Sequence, residues 1–524
     1  MNTPEFLSLS CAICPDRPAI LFEERRLTYA ELQERANRLA DSLAKLGVMK
    51  GERVAILQVN CNEYVETYFA TANVGGVFVP LNFRAKQDEI RYMLSHSEAS
   101  VVFVGGQYVD MVNGIRASLP TARHFISIGV RGRDMLHYED VLSSGSNEEQ
   151  DLVNIDDHDA NTLMYTSGTT GVPKGVVQPH SAFGSYVLEN VDPPSPDQAE
   201  TNLISMPLYH IAGLQAMLAS VYGGRTMALQ RQFEPEEWFR IVEQHRVSRV
   251  MLVPTMLKKI VDHPDVSSHD LSSIRVVTYG GAACPLDVLM KTIERFPGRT
   301  LINAFGTTET SSTIASLSVD DCIIAGTESD EAKQKKLKRL SSSIGKPVAG
   351  VEIQIRDDEG GEVSTLAVGE VVARGPRIMT GYWKDEERTR QSFTDDGWYR
   401  TGDLGYVDDE GFVYLCGRAD DLIVRGGENI SPEEVENVLS LHPKVDEVAV
   451  IGVPNPEWGQ EPRALVVLKK GQDATSEELI EYCRGRLAGF KRPRSVLFLE
   501  ELPKNAYGKV SRKALREKYG RVEA

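Results

Sequence analysis

Apolar positions along the first two thirds of the chain alternate between helical and strand spacing. From Leu27 to Leu46 they recur every three, four or seven residues, which predicts an amphipathic helix. The apolar run VAILQV at 54–59 predicts a buried strand. Four later runs have the same character, namely VVFVG from Val101, RVMLVP from Arg249, RVVTYGG from Arg275 and TLINAFG from Thr300. Strands that alternate with helices in this way predict mainly parallel α/β sheets.

The pattern changes at Gly345 and again after Arg418. Between these residues, short alternating runs such as EIQI, GEVVARG and GFVYLCG are separated by acidic and glycine turns, which predicts a small β-rich subdomain over 345–418. The remaining residues combine the helix-like SPEEVENVLSLH with the strand-like EVAVIGV and ALVVLKK. We therefore expect a large α/β N-terminal domain, 1–419, that includes this subdomain, and a small mobile α+β C-terminal domain, 420–524.

Composition narrows the class of protein. At 524 residues the chain exceeds the ~250 to 300 residues of a single core, which also favours two domains. A formal net charge of −17 argues against nucleic acid as a partner. No apolar run approaches the ~18 residues of a membrane span and no secretory signal opens the chain, so a cytoplasmic protein without a membrane span is expected. The seven cysteines, an odd number, suit a reducing compartment.

The segment from Tyr165 to Gly175, YTSGTTGVPKG, carries the clearest chemical signal. Its glycines allow the backbone to approach an anion closely, its hydroxyls can donate to phosphate oxygens, and Lys174 adds a positive charge. Pro173 before the lysine and a glycine after it depart from the P-loop pattern, which weakens a kinase or GTPase interpretation. A polar surface loop is the alternative, but such a loop needs neither the lysine nor the spaced glycines.

This segment resembles the phosphate-loop signature of the adenylate-forming superfamily, which includes acyl- and aryl-CoA synthetases, adenylation domains of peptide synthetases and firefly luciferase. Further motifs of that superfamily follow in the same order: PLYHIAG (207–213), TYGGAA (278–283), NAFGTTE (303–309), YRTGDLG (399–405), GRADDLIVRGGENISPEEVE (417–436) and PKNAYGKVSR (503–512). Within the superfamily, the chain is most similar to the 4-chlorobenzoate CoA ligases and related aryl- and medium-chain acyl-CoA ligases.

The resemblance implies a nucleotide site in the large domain. Phe305 is expected to stack on adenine, Asp403 to accept both ribose hydroxyls, and Glu309 to bind Mg²⁺. The residues expected to bind ATP or AMP are Thr166, Ser167, Gly168, Thr169, Thr170, Gly171, Lys174, Gly280, Gly281, Ala282, Asn303, Ala304, Phe305, Gly306, Thr307, Thr308, Asp403, Arg418 and Lys509. Alone, Asp403 is typical of a turn and Glu309 of a helix start, so these roles depend on the motifs.

The resemblance also implies catalytic roles for Lys509, His210, Glu309 and Thr166. Lys509 is expected to bridge the acid and the α-phosphate, where a fixed ammonium stabilises the charge that develops as the carboxylate attacks. His210 is expected to border the acyl pocket, with a buried core histidine as the alternative. The residues expected at that pocket are His210, Ile211, Ala212, Gly280, Ala304, Gly306, Ser311 and Ser312. The small side chains among them predict a roomy cavity.

The second half-reaction implies a moving domain. Lys509 and the CoA thiol cannot approach one carbonyl carbon together, so the resemblance implies that the small domain rotates about a hinge at Asp420. The residues expected to contact coenzyme A are Arg84, Gly426, Gly427, Trp458, Phe490, Arg492 and Arg494. Each of them alone is equally well explained as an ordinary surface residue.

These expectations describe an ATP-dependent carboxylic acid:CoA ligase, an acid-thiol ligase that forms acyl-adenylate and pyrophosphate and then acyl-CoA and AMP. The expected acid is medium-chain, alicyclic or aromatic; ATP, Mg²⁺ and coenzyme A are required, and the protein is expected to be a monomer or homodimer. One alternative is an amino- or aryl-acid adenylation protein that loads a carrier protein, although PLYHIAG lacks an aspartate to pair a substrate amine. Another is a non-catalytic adenylate-binding sensor, which would not need Lys509.

Overall fold

The computed structural model describes residues 1–147, 153–166, 172–318, 329–418, 421–504 and 510–520. Its α-helices are α1 Thr3–Ile13, α2 Tyr29–Lys45, α3 Asn62–Asn73, α4 Gln87–Ser97, α5 Val109–Ile115, α6 Tyr138–Ser144, α7 His180–Asn190, α8 Ile211–Tyr222, α9 Pro235–His245, α10 Pro254–Val261, α11 Leu286–Arg295, α12 Asp330–Ser342, α13 Glu386–Gln391, α14 Pro432–Ser440, α15 Ser476–Tyr482 and α16 Arg512–Tyr519. Short 3₁₀ helices lie at Gly106–Tyr108, Arg116–Ser118, Val266–Ser268 and Thr308–Thr310.

The strands are β1 Pro18–Phe22, β2 Arg25–Thr28, β3 Arg53–Leu57, β4 Val77–Pro80, β5 Val101–Gly105, β6 His124–Ile128, β7 Leu136–His137, β8 Ala160–Thr166, β9 Lys174–Pro179, β10 Thr201–Ile204, β11 Thr226–Leu229, β12 Arg249–Leu252, β13 Val276–Gly280, β14 Thr300–Thr307, β15 Ser312–Ser318, β16 Ser343–Pro347, β17 Glu352–Arg356, β18 Gly369–Arg374, β19 Gly381–Tyr382, β20 Tyr399–Val407, β21 Val413–Arg418, β22 Ile423–Arg425, β23 Glu428–Ile430, β24 Val445–Asn455, β25 Gly459–Leu468 and β26 Ser495–Phe498.

Helix α2 illustrates how the local sequence specifies these elements. Thr28 accepts a hydrogen bond from the backbone N–H of Glu31, and the Glu31 carboxylate accepts one from the Thr28 N–H, which forms a capping box. Leu32 and Leu39 lie on the buried face of the helix. The amphipathic helix predicted over 27–46 is therefore present as Tyr29–Lys45.

Two large sheets form the N-terminal part. One has eight strands in the order β19-β9-β8-β4-β3-β5-β6-β7, in which β8, β4, β3, β5, β6 and β7 pair in parallel and the β8–β9 and β9–β19 pairs are antiparallel. Strands β8 and β9, which flank the predicted phosphate segment, are antiparallel neighbours. The sheet therefore holds the two residues that flank this segment, Thr166 and Lys174, opposite each other.

The second large sheet has thirteen strands in the order β17-β18-β20-β21-β16-β15-β14-β13-β12-β10-β11-β1-β2. From β1 through β11, β10, β12 and β13 to β14 the neighbours are parallel, and from β14 through β15 to β17 they are antiparallel. The predicted β-rich region is thus continuous with the parallel sheet, because β16 pairs with β15 on one side and with β21 on the other.

The main core lies between the two large sheets. One cluster of buried side chains joins Phe6 of α1, Leu39 of α2, Ile56 of β3, Leu214 of α8 and Met227 of β11, so it takes members from both sheets and from the helices between them. Burial of this shared apolar surface fixes the two sheets relative to each other. No helix among the described residues combines the length and apolar character needed to cross a membrane.

A smaller sheet follows residue 420. It pairs β23-β22-β25-β24 in that order and adds β26 beside β25. Helices α14 and α15 pack on it through Val435, Leu439 and Leu479, which are fully buried. The mixed α/β fold with a large N-terminal and a small C-terminal domain is therefore confirmed, whereas the boundary at 419 and 420 remains a prediction, since both residues lie outside the described ones.

Candidate active site

The phosphate segment is bounded by a fixed pair of strands. β8 ends at Thr166 and β9 begins at Lys174, and these two residues face each other in the ladder. The expected phosphate ligands Ser167, Gly168, Thr169, Thr170 and Gly171 lie outside the described residues. The hydroxyl of Thr166 is buried and has no hydrogen-bond partner among the described residues. A buried hydroxyl in that condition is suited to donate to a ligand oxygen.

Lys174 and Glu309 meet in a buried ion pair. Glu309 lies in the 3₁₀ helix after β14 with 7 % of its surface exposed, and its Oε1 is 2.9 Å from the Lys174 ammonium nitrogen. Burial disfavours both charges, but the partners prevail, so the pKa of Glu309 is lowered and that of Lys174 is raised. Two residues that the sequence places 135 positions apart thus form one charged centre.

Tyr382 joins this pair, and the sequence analysis did not identify it. Lys174 donates to the Tyr382 hydroxyl at 2.7 Å, and that hydroxyl donates to Glu309 Oε1 at 2.9 Å. Burial, followed by the charge of Glu309, raises the pKa of Tyr382, so it stays a neutral phenol. The only sequence signal was an aromatic pair, Tyr382-Trp383, after Gly381, which is also an ordinary strand pattern.

Gln178 is a second residue that the sequence analysis missed. Its amide oxygen accepts from Thr162 at 2.7 Å, and its amide nitrogen donates to the backbone carbonyl of Thr308. The side chain is fully buried. Gln178 therefore connects the β8–β9 hairpin with the 3₁₀ helix that carries Glu309.

The glycine motif at the end of β13 is required by strand packing. Gly280 pairs with Ala304 of β14, and a Cβ on Gly280 would lie 2.1 Å from the Ala304 carbonyl oxygen. Gly280, which the resemblance assigns to the nucleotide site, is therefore also required by the close approach of these two strands. Phe305 follows on β14 and is partly buried against two small apolar clusters.

The turn after Glu309 has an unusual backbone. Ser311 and Ser312, both expected at the acyl pocket, have φ of 47° and 87°, values that favour glycine. A Cβ on Gly306 would lie 1.5 Å from the Ser312 carbonyl oxygen, so this turn folds tightly against β14. Strained backbone of this kind persists where the surroundings fix it and is frequent at functional sites.

Asp403 and Arg418 pair with each other. They face each other on β20 and β21, with Arg418 Nε 3.1 Å from Asp403 Oδ1, and Arg418 also donates to the Thr401 carbonyl at 3.0 Å. Asp403 is 8 % exposed. The carboxylate expected to hold the ribose is thus oriented by the guanidinium that was expected beside it.

His210 caps helix α8 at the expected acyl pocket. Its Nδ1 accepts from the backbone N–H of Ala212 at 3.2 Å, which places the ring at the start of the helix. A Cβ on Gly213 would lie 2.3 Å from the Pro207 carbonyl oxygen, which explains the glycine of this motif. His210 is half-buried, so it is neither a core histidine nor a surface one.

Gln215 lies one turn further along α8. At 100° per residue its side chain falls between those of Ile211 and Ala212 in projection down the helix. Gln215 is 4 % exposed, and neither its amide oxygen nor its nitrogen has a hydrogen-bond partner among the described residues. A buried carboxamide without partners costs free energy unless a ligand or water supplies them.

The residues expected to contact coenzyme A are only partly brought together. Gly426 has φ of 59°, its N–H donates to the Trp458 carbonyl at 2.8 Å, and an added Cβ would lie 2.7 Å from the indole. The Arg425 guanidinium lies 4.8 Å from that ring centre. Arg494 follows nearby, with its N–H on the carbonyl of Pro462.

The other members of that set are more dispersed. Phe490 packs partly on the core of the small domain, and Arg492 has a buried Nε without a partner among the described residues. Gly427, with φ of 85°, completes the turn between β22 and β23. Arg84 lies over the ring of Phe83, and no hydrogen bond or ion pair in the described ranges joins it to the small domain.

Lys509 and Asp420 lie outside the described residues, so their expected roles remain predictions. The residues that flank Lys509 are held in place: Lys504 and Val510 form an antiparallel bridge, and the Ser511 N–H donates to the Pro503 carbonyl at 2.8 Å. The chain therefore returns on itself on either side of 505–509.

Two family comparisons cover most of the chain. Residues 8–383 match the AMP-binding enzyme family, and residues 434–509 match the AMP-binding enzyme C-terminal domain. The chain is 32% identical over 518 residues to an indoleacetate–CoA ligase of Aromatoleum aromaticum, covering 99% of this chain and 98% of the relative. It is 36% identical over 511 residues to a feruloyl-CoA synthase of an Amycolatopsis species, covering 97% and 96%.

Solved structures agree with these relatives. The anthranilate CoA ligase AuaEII in complex with anthranoyl-AMP is 28% identical, with a TM-score of 0.88 over 99% of this chain and 97% of that one. The o-succinylbenzoate CoA synthetase MenE of Bacillus subtilis, in complex with its acyl-adenylate intermediate, is 32% identical, with a TM-score of 0.82 over 98% of both. The chain belongs to the AMP-binding enzyme family, within the adenylate-forming superfamily that includes the acyl- and aryl-CoA synthetases.

Proposed function

We propose that this protein is an ATP-dependent carboxylic acid:CoA ligase. The observation that carries the proposal is the ion pair between Lys174, the first residue of β9 after the phosphate segment, and the buried Glu309. A cation and a carboxylate that neutralise each other in the absence of ligand can separate to bind a polyphosphate and a divalent cation, respectively. The indoleacetate–CoA ligase and the feruloyl-CoA synthase, which the chain matches over nearly their whole length, support the same reaction.

In the first half-reaction a carboxylate oxygen of the acid attacks the α-phosphorus of ATP, and pyrophosphate leaves with the electrons of the broken P–O bond. No base is needed, because the acid is already ionised at neutral pH. Lys174 lies where it can take a polyphosphate oxygen, and Thr166 can donate beside it. Lys509 is assigned to the α-phosphate, where charge develops in the transition state.

A divalent cation fits the donor set of this site. Glu309 supplies a hard carboxylate oxygen, the ligand type that Mg²⁺ prefers, and its contacts with Lys174 and Tyr382 both fall on Oε1. Bound there, Mg²⁺ would neutralise phosphate charge during displacement. Gln178 would help to fix the backbone beside this position, because its amide nitrogen donates to the carbonyl of Thr308, the residue before Glu309.

The remaining site residues are assigned to the ribose and adenine of the nucleotide and to the acceptor thiol. Asp403, oriented by Arg418, is assigned to the ribose, and Phe305 to the adenine. In the second half-reaction the CoA sulfur attacks the acyl carbon, the proton of the thiol leaves, and AMP departs. The glycine turn at Gly426 and the indole of Trp458 are assigned to the CoA side.

The unpaired amide of Gln215 indicates which acids fit. We infer an acid, such as a substituted aromatic one, with a hydrogen-bonding group remote from its carboxylate, because such a group would supply a partner that the buried carboxamide lacks among the described residues. Indoleacetate, ferulate and 2-succinylbenzoate, the acids in the names of three relatives, all carry such a group. Cytoplasmic location and a monomeric or dimeric state stay predictions.

The decisive experiment offers purified protein a panel of acids with ATP and Mg²⁺ and measures pyrophosphate and then thioester with and without CoA. We expect pyrophosphate only with the fitting acid, and acyl-CoA once CoA is added. Loading of a carrier protein but not of CoA would favour the carrier-protein alternative. ATP binding without any acid-dependent pyrophosphate would favour the sensor.

Lys509→Ala separates the two steps. Acyl-adenylate formation should fall by about 10² or more, the scale of a lost transition-state contact, whereas thioester formation from synthetic acyl-AMP should be nearly unchanged. Equal loss in both steps would remove Lys509 from its assigned role. Lys513→Ala, a change at a neighbouring helix residue, is the matched control.

A further inference from the structure

The hydroxyl of Tyr382 occupies a position between two opposite charges. It accepts a hydrogen bond from Lys174 at 2.7 Å and donates one to Glu309 Oε1 at 2.9 Å. A phenol has one O–H to donate and lone pairs to accept, so both bonds can exist together. The direct Lys174–Glu309 contact of 2.9 Å closes a three-membered network.

The backbone of Tyr382 is fixed independently of these charges. Tyr382 pairs with Val176 on β9, two residues after Lys174, and its N–H donates to the Thr389 hydroxyl at 2.8 Å. Its ring belongs to a buried cluster with Val176, Met379 and Tyr399. The hydroxyl therefore stays at its position when the lysine moves.

ATP binding changes the balance of this network. When Lys174 turns from Glu309 to a polyphosphate, the carboxylate loses its cation in a site where burial penalises an unpaired charge. The hydrogen bond that Tyr382 donates to Oε1 can persist, and it does not involve the second carboxylate oxygen. A carboxylate held at one oxygen presents the other at a defined place to a metal ion.

We propose that Tyr382 is a positioning residue for divalent-cation binding by Glu309 during adenylation. The proposal depends on the proposed function, in which Glu309 is the metal ligand and Lys174 the phosphate ligand. It assigns to Tyr382 no contact with the acid, the nucleotide or the CoA thiol. Loss of the hydroxyl should therefore reduce the benefit that Mg²⁺ gives to ATP binding and leave other binding unchanged.

The test measures ATP affinity calorimetrically, without acid, in excess Mg²⁺ and again in EDTA, for the full-length protein and for Tyr382→Phe. The phenyl ring preserves the buried cluster and removes only the hydroxyl. We expect the ratio of the two affinities to fall about tenfold, the scale of one hydrogen bond to a charged group, while the EDTA affinity changes less than about threefold. Tyr406→Phe, a change on strand β20 at a tyrosine stacked on Tyr414, should leave the ratio unaltered.

Two further outcomes keep the proposal separate from the proposed function. Thioester formation from synthetic acyl-AMP, which needs no polyphosphate, should proceed at the normal rate in Tyr382→Phe. An unchanged Mg²⁺ ratio in that variant would overturn the positioning role even though wild-type protein remains a ligase. If wild-type protein binds no ATP, the proposed function fails first. Tyr382→Leu, which lacks the same hydroxyl, serves if the phenylalanine variant does not fold, and an unchanged ratio there also overturns the role.

Discussion

The charged groups of the large and small domains are arranged in opposite ways. At the ends of β8 and β9 that flank the phosphate segment, the half-buried Lys174 is paired with the buried Glu309. On the small domain, the guanidinium groups of Arg425 and Arg494 form no ion pair within the described ranges. Under the proposed roles, the adenylation centre is preorganised, whereas the CoA side keeps cations available for the phosphates of its ligand.

Of the changes considered, Glu309→Gln should impair the proposed adenylation centre most. The amide keeps the shape but leaves the Lys174 ammonium without a counter-charge and gives a divalent cation a weaker ligand. We expect pyrophosphate formation to fall by about 10² to 10³. A rapid-quench assay of acyl-adenylate measures this, with thioester formation from synthetic acyl-AMP as the internal reference.

The control for that change is Glu352→Gln, at an exposed carboxylate that pairs with Arg374 on a neighbouring strand. It removes the same charge outside the site and should leave both half-reactions within about twofold. If Glu309→Gln were no worse than this control, the paired centre would have only a structural role.

Arg494→Ala should affect coenzyme A binding by the small domain. Removing a cation assigned to CoA phosphate should raise KM for CoA by about tenfold and leave pyrophosphate formation unchanged. The effect should shrink at high salt, because an exposed cation is screened. Arg484→Ala is the matched control, since that exposed arginine is paired with Glu481. An unchanged KM for CoA would place the CoA phosphates elsewhere.

Sequence reasoning reached the motifs and the alternation of strands and helices because both are local properties. It expected Lys174 and Glu309 as separate ligands, but their contact depends on how β9 and the end of β14 meet, which no spacing encodes. Tyr382 and Gln178 were missed for the same reason. Each has an ordinary local pattern and acquires its role from residues distant in the sequence, Lys174 and Glu309 for Tyr382 and Thr308 for Gln178.

The basic segment EAKQKKLKRL, residues 331–340, also has contacts that its local sequence does not predict. It lies in helix α12, and its Lys335 and Arg339 form ion pairs with Glu410 in the turn before β21. A basic helix and an acidic turn are each local patterns of the sequence. Their complementarity became visible only when the sheet placed them side by side.

Glu433→Gln tests a carboxyl group of the small domain whose pKa, like that of Glu309 in the large domain, is shifted by its surroundings. Burial, together with Glu436, Asp403 and Asp421, raises the pKa of Glu433 to about 7 despite Arg512. A folded-state pKa above the unfolded value of roughly 4.3 stabilises the fold at low pH, and this contribution is lost as pH rises toward 7.

Between pH 5 and pH 8 the wild-type protein should therefore lose about 1 to 2 kcal/mol more stability than Glu433→Gln. Denaturant unfolding at the two pH values measures the difference. Glu434→Gln, a change at the adjacent residue that pairs with Lys491, is the control. Parallel pH dependence in wild type and Glu433→Gln would show that this carboxyl group titrates normally.

The smallest expected effect concerns an ion pair between the large and the small domain, Lys258–Asp446. Lys258 of α10 lies 2.8 Å from Asp446 of β24 and 2.9 Å from Asp262 on its own side. Burial opposes the charge of Lys258, but its two carboxylate partners raise its pKa. Because Lys258→Ala removes both contacts, only a double-mutant cycle with Asp446→Ala isolates the one between regions.

We expect a coupling free energy of about 0.5 kcal/mol for Lys258 and Asp446 in the ligand-free protein, as for partly exposed pairs elsewhere. Lys291→Ala, which loses only a contact with Asp262, should show no coupling to Asp446. If the small domain turns between the half-reactions, the coupling must vanish in one of two complexes, that with acyl-AMP or that with CoA. A coupling that is the same in both would mean that α10 and β24 stay together throughout, and the second half-reaction would then have to proceed without the rotation that the family resemblance implies.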